Sequence, residues 1–369
     1  MKLMKTTEAV GQVLCHDITQ IIPGVKKDAV FRKGHIITKE DIPVLLSVGK
    51  DTIYIWENDE TMMHENEAAE VLYRMSACGT NCNDADAEGH CEAAESAVFG
   101  DTASKMHPSP VKEGKIEVIA DCDGLLKVDS EKLKKVNSFG EMMIATRHGN
   151  TTVKKGDKLA GTRIIPLVIK KDKLKEASNI CEDGPILDIK PFVVRKAAII
   201  TTGNEVYHGR IQDAFTPVIE KKIAEFGAQM MFHEVFDDDD KKITDGCLRA
   251  IEAGAEIVFC TGGMSVDPDD KTPLAIKNTG ARVVSYGSPV LPGAMFLLSY
   301  YDAGDRLVPI CGLPGCAMYN KRTIFDIVLP RLMACDMILA DELAGLGEGG
   351  LCLNCDVCTF PNCGFGKGF

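Results

Sequence analysis

The sequence predicts an α/β protein in which β-rich modules precede a domain of strands alternating with short helices around a largely parallel sheet. Three observations carry this. From Val193 onward, apolar strand runs alternate with amphipathic helix patterns. Three of the strand runs end in glycine turns, at Gly203, Gly262-Gly263 and Gly312 to Gly315. Before Lys190, by contrast, most runs are short, β-branched and broken by Gly-containing turns.

Residues 1–60 form the first module. "VFRKGHIIT" (Val30 to Thr38) alternates around a Lys-Gly turn, "KEDIPVLLSVGK" is a short helix ended by Gly49, and "DTIYIW" (Asp51 to Trp56) is a strand. Residues 61–113 combine a helix with an acidic insertion. From Ala77 to His107 the composition turns acidic and small, with no apolar period, and predicts a loop. Its Cys78, Cys82, His90 and Cys91 match no metal-ligand spacing well and suit a mobile acidic loop better. Residues 114–190 are β-rich. "GKIEVIADCDGLLKVD" alternates on both sides of Asp123-Gly124 and predicts a hairpin; "VKKGDKLAGTRIIPLVI" predicts a turn and a strand. Lys171 to Lys190, with Gly184-Pro185 and Lys190-Pro191, is expected to be a linker.

Residues 191–335 form the α/β domain. "KAAIITTGNE" is a buried strand ending at Gly203. Thr216-Pro217 predicts a helix start, with Val218, Ile219, Ile223 and Phe226 inward. "QMMFHEV" is a strand, and Asp240 to Ala253 a helix burying Ile243, Cys247, Ala250 and Ile251. The preceding aspartates of "FDDDDKK" are expected to cap that helix rather than bind metal. "EIVFC" and "ARVVSYG" are strands flanking a helix begun at Thr272-Pro273. A long helix from about Cys316 is expected to end or kink at Pro330.

A formal net charge of −12 without a basic stripe argues against nucleic acid or an anionic membrane as partners. No apolar run reaches the roughly 18–20 residues of a membrane span. The N-terminal stretch lacks the apolar core of a signal peptide, and a cytoplasmic location is expected. The odd count of 15 cysteines then argues against a disulfide framework; Cys260 and Cys311, in apolar runs, are expected in the core.

In open α/β sheets, ligands sit outside the carboxyl ends of the strands. Glycines there let backbone N–H groups approach an anion closely. "FCTGGMSVDPDD" (Phe259 to Asp270) adds carboxylates, and Asp269, Asp270 and Glu205 suit a divalent cation that neutralises the anion. Neither the GxxxxGK[ST] loop nor the GxGxxG fingerprint is present. In their order, "IITTGNEV", "GRIQDAF", "AEIVFCTGGMSVDPDD" and "GLPG" resemble the molybdopterin-binding domain shared by molybdopterin adenylyltransferases and molybdopterin molybdenumtransferases. The resemblance spans Val193 to Leu332 and implies a three-layer α/β/α fold with a mixed sheet. "GDKLAGTRIIPLVI" and "FRKGHII" extend it toward the molybdenumtransferases.

The resemblance implies that Thr261, Gly262, Gly263 and Ser265 bind the pterin phosphate, with Gly203, Gly312, Pro314 and Gly315 on the same rim. It places Asp270 and Glu205 as acids serving Mg²⁺ and molybdate, and Asp213 at the pterin end. The sequence also departs from the family. Asp213-Ala214-Phe215 replaces an Asp-Ser-Asn triplet, Pro292-Gly293-Ala294-Met295 lacks a phosphate-binding lysine, and Gly315 is followed by Cys316-Ala317 rather than Asn-Pro. Each lost charge-assisted contact is worth about 1.5–3 kcal/mol. Lys271 and Arg322 are read as surface charges. His35, His64, His148 and His233 lack metal-ligand spacing.

Residues 350–369 form a tail with Cys352, Cys355, Cys358 and Cys363 in the pattern C-x2-C-x2-C-x4-C. Four close thiolates suit zinc or an iron–sulfur cluster. So little apolar surface predicts disorder without metal. The function expected is molybdenum cofactor biosynthesis: binding molybdopterin or its adenylate, with Mg²⁺-dependent insertion of molybdate and release of AMP. The alternative is a non-catalytic carrier or sensor of the cofactor with a metal-bearing tail. The sequence is compatible with a homo-oligomer.

Overall fold

Ala197 to Thr202 are all buried, without the alternation of a half-exposed strand, so both faces of this strand must be covered. The computed structural model describes residues 2–22, 26–55, 59–79, 105–265, 267 and 270–368. It contains two compact units, one of Met1–Cys122, Val128–Arg147 and Lys154–Asp188, the other of Asp123–Lys127, His148–Val153 and Ile189–Phe369.

The second unit is built on six strands: β1 (Lys196–Thr202), β2 (Gln229–Phe236), β3 (Ile257–Thr261), β4 (Arg282–Tyr286), β5 (Leu297–Asp302) and β6 (Leu307–Leu313). Their order is β2-β1-β3-β6-β5-β4. The first four are parallel; β5 is antiparallel to both β6 and β4, so the sheet is mixed. Seven helices accompany it: α1 (Asn204–Tyr207), α2 (Phe215–Ala224), α3 (Asp240–Glu252), α4 (Thr272–Asn278), α5 (Cys316–Tyr319), α6 (Ile324–Met333) and α7 (Ala340–Gly345).

Strand pleating sends alternate residues to opposite faces. Ala197, Ile199, Ile257, Phe259, Cys311 and Leu313 meet Ile219 and Ile223 of α2 and Phe325, Val328 and Leu329 of α6. Ala198, Ile200, Val258, Cys260 and Ile310 meet Ile243, Cys247 and Ala250 of α3 and Ala275 and Ile276 of α4. This is a three-layer α/β/α domain. Each large apolar side chain so buried contributes about 1.5–3 kcal/mol. Phe259 and Phe325 add an edge-to-face contact, with centroids 5.3 Å apart. Cys260 and Cys311 are fully buried free thiols, as expected of core residues. Asp239 caps α3 by accepting from Lys241 N and Lys242 N, the role expected of the aspartate run.

In the first unit, Lys2–Lys5 pairs with Thr52–Ile55 and Ile18–Ile22 with Lys26–Phe31, around a core that includes Leu14, Ile37, Leu45 and Ile53. Helix Glu65–Ala77 packs on a four-stranded sheet ordered Met106–Pro108, Lys115–Ala120, Lys158–Ile164, Met142–Thr146. The Cys82, His90 and Cys91 of the acidic insertion lie outside the described residues; Cys78 is disulfide-bonded.

Several local expectations are corrected. No hairpin forms at Asp123-Gly124. Lys115–Ala120 pairs with Lys158–Ile164, whereas Gly124–Val128 pairs with Thr151–Val153. Gly124 is a close-approach glycine: a Cβ there would stand 2.6 Å from the Lys190 carbonyl oxygen. The supposed linker contains helix Lys171–Asn179, which buries only Leu174 and Ala177, and strand Leu187–Lys190. The long last helix is instead α5 and α6. They are separated at Thr323, whose side chain accepts from Phe325 N while Asp326 accepts from Thr323 N. Pro330 lies within α6, near its end. The tail is packed, not loose: Phe365 is buried, Leu351 bridges to Leu291, and Cys352 N donates to the Leu291 carbonyl at 2.8 Å.

Candidate functional site

Thr201 is in register with Thr261, and Thr261 with Leu313. The turns after β1, β3 and β6 therefore emerge side by side from three adjacent parallel strands. From β1 the chain passes to β2 on one side and then, through α3, to β3 on the other. That reversal between β1 and β3 is a topological switch point, where connections leaving in opposite directions mark the ligand crevice of open α/β sheets.

The turn after β3 is confined to glycine. Gly262 has φ 81° and Gly263 φ 54°. A Cβ on Gly262 would lie 2.1 Å from the Thr202 carbonyl oxygen, and one on Gly263 would lie 2.8 Å from Thr272 Oγ1. The Thr202 hydroxyl fastens the two turns, donating to the Thr261 carbonyl at 3.1 Å and lying 3.0 Å from the Thr272 hydroxyl. Beyond the glycines, Ser265 N donates to Asp270 Oδ2 at 2.6 Å and Tyr286 donates to the Met264 carbonyl at 3.3 Å. Burial, and then the charge of Asp270, push the Tyr286 phenol above its ordinary pKa. Met264 is buried over β6, where a Cβ on Gly312 would strike its Sδ at 2.5 Å. Thr261 is fully buried, and its hydroxyl has no hydrogen-bond partner among the described residues.

Gly203 (φ 130°) leads from β1 into α1, where Asn204 N donates to Asp238 Oδ2 at 3.1 Å and Glu205 is exposed. Pro314 is buried and its carbonyl accepts from Ala317 N at 3.0 Å; Gly315 is exposed, with open space where a Cβ would stand. Asp213 is differently occupied. It accepts from Phe215 N at 2.8 Å, Thr216 N at 3.1 Å, the Thr216 hydroxyl at 2.5 Å and the Thr201 hydroxyl at 3.0 Å. Asp213, not Thr216, therefore caps α2. Burial alone would raise its pKa, but the bonds from Thr216, Thr201 and Phe215 outweigh it and hold the carboxyl below its ordinary value.

The structure thus brings Thr261, Gly262, Gly263, Ser265 and Asp270 into one loop, beside Gly203 and the Gly312–Gly315 turn. Among the described residues, no group of three or more His, Cys, Asp or Glu side chains is set to hold a metal ion. Asp269 lies outside those residues. Sequence reasoning missed Thr202, Thr272 and Tyr286, whose roles arise from tertiary contacts with the glycine loop. It also dismissed His233, whose Nε2 lies 3.1 Å from Thr201 Oγ1 and 3.5 Å from Asp213 Oδ2. Arg322 is no surface charge: it donates to Asp326 at 2.8 Å and lies over the Phe360 ring. Cys352, Cys355, Cys358 and Cys363 are free thiols lining one cavity.

Residues 198–334 match the family described as a probable molybdopterin binding domain. Residues 3–57 match a domain of unknown function. Curated relatives are named as competence-damage inducible proteins. That of Bacillus velezensis is 29% identical over 90 residues (24% of this chain, 21% of the relative), and that of Geobacillus sp. is 33% identical over 88 (24% and 20%). The chain spans about a fifth of the length of these relatives. Similar solved structures include the tungsten cofactor synthesizing protein MoaB of Pyrococcus furiosus, at 19% identity and TM-score 0.30, covering 38% of this chain and 88% of that one. The Mog protein of Mycobacterium ulcerans is also at 19% and 0.30, covering 41% and 99%. No helix among the described residues is long and apolar enough to cross a membrane.

Proposed function

We propose that this rim binds molybdopterin or its adenylate through the phosphates, and that the Thr261–Ser265 loop supplies the backbone N–H donors. The observation that carries the reading is the pair Gly262-Gly263, held in left-handed backbone at the switch point by contacts that exclude any side chain. An acidic protein can bind an anion there because amide donors carry no counter-charge of their own. Asp270 and Glu205 are hard oxygen donors. Mg²⁺ suits such a pair, since it is commonly held by one or two carboxylates together with substrate phosphates and water. When bound, it would neutralise the phosphates and polarise the phosphoanhydride. The Ser265 N–H orients the Asp270 carboxylate. In the transfer itself, a molybdate oxygen would attack the pterin-side phosphorus and the phosphoanhydride bond to AMP would break, with AMP as the leaving group.

A second reading, a non-catalytic carrier, is favoured by Asp213. Its oxygens are engaged by four protein donors, and the neighbouring Ala214 and Phe215 side chains offer no hydrogen bonds. Ala294, where the family has lysine, removes a cation from the phosphate end. Titration calorimetry with molybdopterin and with its adenylate, in Mg²⁺, tests binding; AMP release on adding molybdate tests transfer. Heat without AMP release selects the carrier. Absence of heat with both pterin forms overturns the proposal.

A further inference from the structure

We propose that Cys352, Cys355, Cys358 and Cys363 hold a cubane iron–sulfur cluster in the cavity they line at the end of the chain. The cavity measures ≈ 230 Å³ and is walled by these four residues together with Arg322 and Phe360. It is fixed at both ends. Before it, Leu291 N donates to the Gly350 carbonyl at 2.8 Å, and Cys352 N returns a bond to Leu291. After it, Phe365 is buried in the domain core beside Phe360, with centroids 6.1 Å apart. The tail thus carries its thiols on an anchored loop.

The basic side chains are placed for a thiolate-bound anion. Arg322 lines the cavity with Cys358 and lies 5.0 Å over the Phe360 ring. Lys321 Nζ donates to the Asp356 carbonyl at 3.1 Å, holding the turn between Cys355 and Cys358. Positive charge beside ligand sulfurs tunes clusters.

The cysteine spacing favours a cluster over zinc. A tetrahedral site with Zn–S of about 2.3 Å draws its sulfurs to roughly 3.8 Å from one another. Among the described residues no group of three or more His, Cys, Asp or Glu side chains is set to hold a metal ion, although all four thiols line one cavity. A cubane brings its own iron and sulfide, so its thiolates stand farther apart than those of a zinc site. The C-x2-C-x2-C segment matches the bacterial ferredoxin spacing. There the fourth cysteine, after x3, serves a second cluster; here x4 lets Cys363 return to the same cavity. This inference stands apart from pterin binding, since none of these residues belongs to the glycine rim.

The test is anaerobic reconstitution of the full chain with equal amounts of ferrous and ferric iron and with sulfide. About four iron and four acid-labile sulfide per chain are expected, with a paramagnetic signal on dithionite reduction. Cys355 and Cys358 are exposed, so Cys355→Ser and Cys358→Ser should leave the apo-protein's unfolding temperature unchanged and lower bound iron at least twofold. Cys335→Ser, also exposed but outside the tail, should keep the full complement. Stoichiometric zinc without labile sulfide would overturn the proposal. So would undiminished iron in the Cys355→Ser/Cys358→Ser double variant.

Discussion

Replacing Gly262 by alanine is the sharpest perturbation of the rim. At φ 81° a Cβ costs about 1–2 kcal/mol in backbone strain alone. It would also stand 2.1 Å from the Thr202 carbonyl oxygen, which must retreat by roughly 1 Å to restore contact distance. That carbonyl ends β1, whose Thr201 pairs with Thr261, so it cannot retreat without disturbing the ladder. Overpacking of this kind adds about 1–3 kcal/mol. The sum, about 2–5 kcal/mol, lowers the unfolding temperature of a domain this size by roughly 5–15 °C. Scanning calorimetry of the Gly262→Ala protein measures it, and pterin titration should show binding abolished. A variant within about 0.5 kcal/mol of the parent would refute the claim that the fold itself demands glycine here.

Two further outcomes follow from the same geometry and from a buried ion cluster. Gly315 has ordinary helical backbone and open space around its Cβ position, so Gly315→Ala should change stability by no more than about 1 kcal/mol. A loss of pterin affinity of about tenfold or more would then reflect ligand approach; an unchanged affinity removes Gly315 from the site. Asp336, nearly buried, pairs with Lys127 at 2.8 Å, Lys190 at 2.6 Å and Arg331 at 2.6 Å. Burial opposes ionisation, but these cations outweigh it and depress the pKa from 3.8 to about 2. The folded value lies below the unfolded one, so this contribution is complete above about pH 4 and is lost as pH falls toward 2, amounting to about 2 kcal/mol. Acid unfolding of Asp336→Asn should lack that part of the slope; a slope equal to the parent's would show that the cluster is not the cause.

The α/β layering was legible because β1, β3 and β6 are continuous apolar runs and α2 and α3 have clear inward stripes. The three glycine turns at adjacent strand ends were legible too, because each follows an apolar strand run. What escaped was decided by tertiary contact. Gly124 resembles a turn glycine, yet it is small because a neighbouring strand passes close. Helix Lys171–Asn179 has too few apolar positions to announce itself. The cap of α2 belongs to Asp213, two residues before the helix, and Thr216-Pro217 concealed it. The break before α6 was present in the sequence as Thr323 to Asp326 and was masked by the apolar run after it. His233 joins Asp213 and Thr201 only through the pairing of β2 with β1.

Met264 occupies the niche that Gly312 leaves vacant, so the loop after β3 is clamped to a strand beside it. Any side chain at position 312 would evict the thioether and tip the Gly262-Gly263 loop. A survey that scored positions by lost affinity would place Gly312 among the contacts, when its part is to keep neighbouring loops moving as one piece.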